Sequence, residues 1–252
     1  MRQLSASSVH AAFRCGYAFR PDVWTAPDVS GEAAEFGTRV HELVEDVLRS
    51  VGPFEKFAYE PGDSDSDEAR HATQAVCWVR DHSPGMPSYL EKGVIYDCAN
   101  DTATWGPRRG EPGYGGPSTY RISGTIDMAW VFGGMLWVVD LKTGKKENAH
   151  PEQLYFQALA LSRILGIETV HVGFLFSRKT KVIPPQWETL TDFRLDCIAA
   201  DLRDLMRSLP TAEPQRHGEC HYCPAVTRCP AFAIEAPEAR FDDEFADTQG
   251  DY

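Results

Sequence analysis

Asp127, Asp140 and Lys142 are the residues of this 252-residue chain whose types and spacing point most directly to chemistry. They lie in Tyr120–Lys142, YRISGTIDMAWVFGGMLWVVDLK, two runs of strand formers around Gly133-Gly134. A Gly-Gly pair between such runs predicts a hairpin with a two-residue turn, which fixes the register. Phe132 then faces Met135, Trp130 faces Trp137 and Asp127 faces Asp140. Because side chains alternate, Asp127, Ala129, Val131, Leu136, Val138, Asp140 and Lys142 are expected on one face. Directly opposed residues have Cβ atoms roughly 4.5–5.5 Å apart, where like charges destabilise the sheet. Two carboxylates so placed among apolar neighbours require a cation. A lysine two residues beyond the second adds an ammonium on the same face, and metal plus ammonium is equipment for phosphodiester hydrolysis. Asp-x-Lys alone is common by chance, so the reading depends on the elements around it.

Further ligand candidates flank the hairpin. His41, in Gly37-Thr-Arg-Val-His41, borders the apolar stripe of a helix and can offer a nitrogen, which suits manganese better than magnesium. Gln153 falls in the first turn of the helix after Lys142, where it can orient a phosphate or cap the turn. Glu35 and Glu45 are expected to be solvated carboxylates. A second signal lies near the far end: Cys220, Cys223 and Cys229 in CHYCPAVTRCP, spaced C-x2-C-x5-C. Three cysteines in so short a segment point to metal ligation. The fourth ligand is His217 or His221 for a zinc knuckle, or Cys15, 205 positions before Cys220, for zinc or a 4Fe–4S cluster. Fastening positions so far apart closes a long loop, which stabilises the folded chain. Cys77, Cys98 and Cys197 lie in regular elements and are expected to be small buried hydrophobes.

The elements that must position these groups can be read from periodicity. Glu32–Arg49 is predicted helical, with Phe36, Val40, Leu43, Val44 and Val47 on one stripe. Ala69–His82 is a weaker helix and Lys92–Cys98 a short strand. Ala99–Thr119, rich in Gly and Pro, is expected to be a loop, and Trp105, Arg108, Arg109 and Tyr114 within it are candidates to touch a nucleic-acid strand. Pro151–Leu165 is predicted helical, with Pro151 at the first helical position and Gly166 just past the end. Thr169–Arg178 has the continuous apolar character of a buried strand. Strand, helix, strand is a crossover, so the second hairpin strand and Thr169–Arg178 should run parallel. Thr189–Leu209 is the last long helix, with Leu190, Phe193, Ile198, Leu202, Leu205 and Leu209 among its apolar positions. The order α-β-β-β-α-β predicts an α/β fold, a mixed sheet flanked by helices.

Composition is that of an ordinary globular protein, 42% hydrophobic and 25% charged. No apolar stretch reaches the length of a membrane span, no signal-peptide core opens the chain, and seven cysteines, an odd number, argue against a disulfide framework. The expected location is a reducing cytoplasm, without membrane association. The net charge of −12 is mostly local: Glu60–Glu68 carries −5 and Glu235–Tyr252 carries −6, which leaves about −1 for the rest. Nucleic-acid binding would therefore depend on where positive charge clusters. A single domain over residues 1–234 and an acidic, disordered tail over 235–252 are the expected organisation.

Taken in order, Gly37-x-x-x-His41, Gly124-x-x-Asp127, Asp140-Leu141-Lys142-Thr143-Gly144 and Gln153 at a helix start resemble the RecB-like branch of the PD-(D/E)XK nucleases. The opening LSASSVHAAFRCGYAF and the closing cysteine triad resemble its iron–sulfur members, the CRISPR-associated RecB-like exonucleases and AddB-type nuclease domains. The likeness runs from about Leu4 to about Phe232. It implies a restriction-endonuclease-like αβββαβ core whose termini are joined by a 4Fe–4S cluster on Cys15, Cys220, Cys223 and Cys229. It implies that His41, Asp127, Asp140 and the Leu141 carbonyl bind Mg2+ or Mn2+, that Lys142 positions the water, and that Gln153 holds Lys142 or DNA. The activity implied is a metal-dependent DNA exonuclease acting on single-stranded ends, in recombination, repair or CRISPR spacer acquisition. Its implied partner is a helicase, a recombinase or a CRISPR integration complex, since no G-x-x-x-x-G-K-[ST] is present. The chain departs from the family at Gln157, where relatives carry tyrosine, and at Gly16, where proline commonly follows the first cysteine. The alternatives are a non-catalytic DNA-binding or assembly protein on the same fold, and a zinc hydrolase of another class.

Overall fold

A computed structural model describes residues 4–20, 22–23, 31–50, 66–114, 120–144, 149–218, 220, 223 and 225–233. His221, most of the acidic run Glu60–Glu68 and the acidic tail 235–252 lie outside the described residues. The elements in chain order are β1 (Leu4–Ser5), α1 (Val9–Arg14), α2 (Glu32–Ser50), α3 (Asp67–His82), β2 (Tyr89–Asp97), β3 (Thr102–Trp105), β4 (Arg121–Phe132), β5 (Met135–Lys142), α4 (Pro151–Leu165), β6 (Val170–Ser177), β7 (Val182–Ile183), β8 (Glu188–Leu190), α5 (Asp192–Ser208) and α6 (Pro230–Ala233). Among the described residues no helix is long and apolar enough to cross a membrane.

One mixed sheet, in the order β3-β2-β4-β5-β6-β7, organises the chain, with β1 added parallel to β4 and β8 antiparallel to β6. The hairpin forms in the expected register, from Phe132 opposite Met135 to Met128 opposite Val139. Gly133 and Gly134 both adopt positive φ, 61° and 75°, the conformation a two-residue type I′ turn demands. β5 and β6 are parallel from Leu136–Val170 to Lys142–Phe176. The connecting α4 has the expected bounds, with Pro151 at its start and Gly166 in the left-handed conformation at φ 66°. This is an α/β mixed sheet flanked by helices, consistent with a restriction-endonuclease-like fold.

Two apolar cores lie against the sheet. On one face α1, α4 and α5 cover Ile122, Ala129, Leu136, Val138 and Val172. On the other, α2 and α3 cover Met128, Trp130, Val139, Leu141 and Leu175. Several details differ from the sequence expectation. The segment 99–119 contains the edge strand β3, paired with β2 through Val94–Trp105 to Asp97–Thr102. Glu188–Leu190 extends as β8, so α5 starts at Asp192 and Phe193 is left exposed. Leu48 rather than Leu43 completes the buried stripe of α2, because Leu43 rotates toward solvent. Of the three isolated cysteines only Cys98 is buried, whereas Cys77 and Cys197 are half-buried.

Gly124 is where the first core is most crowded. A Cβ there would stand 2.6 Å from Phe156 Cε1 and 3.0 Å from Ala6 Cβ. Both neighbours are buried and neither is the flexible end of a long side chain. Gly124→Ala is therefore expected to destabilise the protein by about 1–3 kcal/mol through overpacking. A lower urea midpoint at unchanged m-value checks it.

Candidate functional site

The site forms where β4 and β5 part. The antiparallel ladder ends at Met128–Val139, while β5 stays paired with β6 as far as Lys142. Leu141 therefore faces the opening with backbone groups that no β4 backbone reaches. Asp127 Oδ2 accepts the Leu141 N–H at 2.8 Å, and the Leu141 carbonyl lies 3.1 Å from His41 Nε2. A side-chain carboxylate and an imidazole thus stand in for a missing stretch of ladder, which keeps buried backbone groups satisfied.

Asp127 is brought there by an irregularity in β4. Ile126 and Ala129 pack in one core, while Met128 and Trp130 pack in the other. Strict alternation would put Ile126 with Met128. The facing strand breaks at the matching point: Leu90 pairs with Met128 and Lys92 with Ile126, and Glu91 between them has φ 46°. The expectation that Asp127 shares a plain face with Ala129 and Asp140 is thereby corrected, because its carboxylate reaches across to the β5 backbone. Glu91, a carboxylate the sequence reading passed over, turns toward α2 and places Oε1 2.9 Å from His41 Nδ1. His41 Nδ1 is 3.8 Å from Asp127 Oδ1. Ligand atoms of His41, Glu91 and Asp127 all lie within 4.8 Å of one another, a spacing able to hold a metal ion.

On the α4 side sit Asp140, Lys142 and Gln153. Asp140 is fully buried. The Lys142 ammonium lies 2.6 Å from Asp140 Oδ2 as an ion pair and donates to Gln153 Oε1 at 3.2 Å. Gln153 Nε2 donates to Asp140 Oδ1 at 2.8 Å, closing a three-membered ring of contacts. Gln157, one turn on, donates to the Thr125 carbonyl at 2.9 Å and to Asp140 Oδ1 at 3.3 Å. The i, i+4 spacing of Gln153 and Gln157 on one helix face was the signal that could have found Gln157. Glu91 carried no comparable signal, because nothing local announces a positive φ within a strand. Gly37 lets α2 close on the site: a Cβ there would stand 3.2 Å from Thr143 Oγ1.

Electrostatics follow from burial among like charges. Burial raises the Asp127 pKa; the His41 charge opposes this, while Asp140 and Glu91 add to it. For His41 burial works downward, but the charges of Asp127, Glu91 and Asp140 and the Glu91 hydrogen bond override it and raise the pKa. Both ring nitrogens face oxygen acceptors, which a doubly protonated ring satisfies. Lys142 likewise loses to burial and gains more from Asp140 and Asp127, so its pKa is raised. Carboxylates in excess of local cations are what a divalent ion relieves.

The remaining candidates fall elsewhere. Glu35 is exposed, as expected. Glu45, expected to be solvated, is buried and held by Arg108 Nη1 at 2.7 and 2.8 Å and by Arg49 at 2.6 Å. Arg108, a candidate to touch a nucleic-acid strand, is paired here with Glu45 and Glu111. The four cysteines Cys15, Cys220, Cys223 and Cys229 converge at the junction of the chain ends. Burial raises the Cys223 thiol, the Ala225 backbone opposes it, and the charges of Cys15, Cys220 and Cys229 raise it further, so all four lie within electrostatic reach. Backbone N–H groups of Gln215 and His217 point at Cys15 Sγ and Cys220 Sγ, at 3.5 and 3.2 Å.

No curated protein matches the chain in sequence. Among solved structures, one titled "Crystal structure of SSO0001" is similar at 14% identity and a TM-score of 0.34, covering 81% of this chain and 98% of that one; so distant a likeness carries no argument. The profile of the PD-(D/E)XK nuclease superfamily matches residues 3–230, which include every candidate described above. Members of that superfamily are nucleases that use divalent metals, and DNA is the substrate such membership implies. The chain belongs to the PD-(D/E)XK nuclease superfamily.

Proposed function

We propose that this protein is a metal-dependent deoxyribonuclease, an exonuclease acting on single-stranded ends, with its site at the parting of β4 and β5. The observation that carries the reading is the Leu141 junction: Asp127 and His41 meet the backbone of the residue between Asp140 and Lys142. Asp127, Asp140, the Leu141 carbonyl and His41 Nε2, the last after releasing its proton, would be the donors for Mg2+ or Mn2+. The residues fit such an ion, since Asp140 Oδ2 is buried and makes no hydrogen bond of regular geometry beyond its ion pair. When bound, the ion supplies Lewis acidity to the phosphate and lowers the pKa of a water. Lys142 holds its ammonium against Asp140, where it can orient that water and offset charge developing on the phosphate. Gln153 fixes Lys142 and Asp140 to each other through one amide. Glu91 orients His41 through Nδ1, the outer partner that ligating histidines generally have.

Cys15, Cys220, Cys223 and Cys229 are proposed to hold a structural 4Fe–4S cluster that fastens the two ends of a single domain, residues 1–234. Four converging thiols and N–H groups aimed at two of the sulfurs suit thiolate ligation. Residues 235–252 are proposed to be an acidic tail outside that domain, and the setting is recombination, repair or spacer acquisition beside a helicase, recombinase or integration partner.

The test is anaerobically purified protein, cluster-replete by iron and sulfide analysis, incubated with end-labelled single-stranded DNA and Mn2+. Progressive shortening from one end is the expected result, abolished by EDTA. Intact DNA would replace this reading with a binding or assembly role. Glu91→Gln is expected to keep the fold and lower the rate about 10–100-fold, with a raised Mn2+ requirement. A rate equal to wild type at limiting Mn2+ would remove Glu91 from the site.

A further inference from the structure

A second group of ligand-type side chains lies outside the site just described. His10 on α1, His150 at the N-cap of α4 and Glu152 in its first turn bring one ligand atom each to within 4.8 Å of one another. The imidazoles of His10 and His150 are stacked, with centroids 3.6 Å apart and planes 16° from parallel. Glu152 Oε2 is 3.1 Å from His10 Nδ1. His10 is buried, and His150, although at the N-cap, makes no side-chain capping bond. The group shares no residue with His41, Glu91 and Asp127.

The chemistry of this set is specific. Imidazole nitrogens suit zinc, copper, iron and nickel, whereas magnesium and calcium prefer oxygen. Two histidines and a glutamate form a known zinc donor set that leaves a position open for water. With Zn–N and Zn–O bonds of about 2.0–2.2 Å, tetrahedral ligand atoms lie roughly 3.4 Å apart. His10 Nδ1 and Glu152 Oε2, at 3.1 Å, are already near that spacing, and a tilt of the two stacked rings away from parallel is what brings both imidazole lone pairs onto one ion. Helix packing alone would favour apolar contacts between α1 and α4, which do touch, and Val9 and Ala12 of α1 and Leu154 and Ala158 of α4 belong to one apolar core.

We propose that His10, His150 and Glu152 bind a divalent transition-metal ion of borderline softness, Zn2+ foremost, at the junction of α1 with the start of α4. Position explains its use. His10 precedes Cys15 by five residues on the same short segment, and Glu152 immediately precedes Gln153, which bridges Asp140 and Lys142. An ion here fastens the cysteine-bearing segment to the helix turn that orders the lysine. Its binding can be measured without nuclease activity, so it stands or falls separately from the function proposed above.

The test is a Co2+ titration of full-length, cluster-replete, EDTA-treated protein, read by visible absorption and followed by competition with Zn2+. The background is His41→Gln/Asp127→Asn, which removes two of the three side-chain donors proposed for the nuclease site. One equivalent of Co2+ with ligand-field bands, without thiolate charge transfer, and displaced by Zn2+ is expected. Adding His150→Gln or Glu152→Gln should weaken that equivalent by roughly 100-fold or more, with far-UV circular dichroism and iron content unchanged. Both substitutions fall at the helix start rather than in the core, so the buried His10 need not be disturbed. Absence of the equivalent in the background protein, or its survival in both added variants, would overturn the proposal.

Discussion

Replacing Lys142 by alanine is expected to lower DNA cleavage in Mn2+ by about 10²–10³-fold or more, the loss typical when one preorganised charge-stabilising group is removed. The reason is geometric. The ammonium is held 2.6 Å from Asp140 Oδ2 and 3.2 Å from Gln153 Oε1, and it lies 5.7 Å above the Phe174 ring. It is therefore fixed beside the carboxylate before any substrate arrives. Removal leaves Asp140 buried with only the amides of Gln153 and Gln157 as partners, and an uncompensated buried charge costs about 3–5 kcal/mol. Lost activity could then reflect lost fold. The control is Asp140→Asn/Lys142→Gln, which removes both charges and keeps the volume. Equal inactivity in both proteins, with the neutral pair as stable as wild type to urea, assigns the loss to chemistry. Wild-type cleavage by either protein would remove this pair from the site.

Cys223→Ser is expected to give colourless protein lacking iron and acid-labile sulfide, with Tm lowered by roughly 10–20 °C. The magnitude follows from loop closure. Fastening positions as distant as Cys15 and Cys220 restricts the unfolded chain by about 5 kcal/mol in the cross-link model, and 1 kcal/mol shifts Tm by about 2–4 °C for a domain of this size. The partners of Cys223 lie on both chain ends, with Cys15 at the end of α1 and Cys229 after the turn Val226–Arg228. A variant that stays brown, with full iron and sulfide, would refute the cluster. Wild type containing zinc and no sulfide would instead make the same four thiols a zinc site.

Local chemistry made much of the fold legible in the sequence. Gly133-Gly134 needed positive φ at both positions, and that fixed which residues oppose one another as far as Met128 and Val139. Pro151 and Gly166 bounded α4 because each has a backbone preference that needs no partner. The apolar run of β6 and the crossover before it fixed the parallel pairing with β5. Asp140, Lys142 and Gln153 meet for the same reason: they sit on regular elements, β5 and the first turn of α4, whose periodicity carries them to one place.

What the tertiary structure decided lies where regularity breaks. Asp127 reaches the Leu141 N–H because β4 loses its alternation beside Glu91, whose φ of 46° no local pattern foretold. Such a conformation persists only when its surroundings hold it, and here the hold comes from His41 on a helix fifty positions earlier in the chain. Glu45 was expected in water and is instead buried against Arg108, a partner 63 positions away. β3 has little intrinsic signal and forms because β2 offers it an edge. The meeting of Cys15 with Cys220, Cys223 and Cys229, and of His10 with His150 and Glu152, likewise depends on how α1 docks against α4 and α5. Sequence spacing records short-range backbone preference, whereas these contacts are fixed by burial of surfaces contributed from opposite ends of the chain.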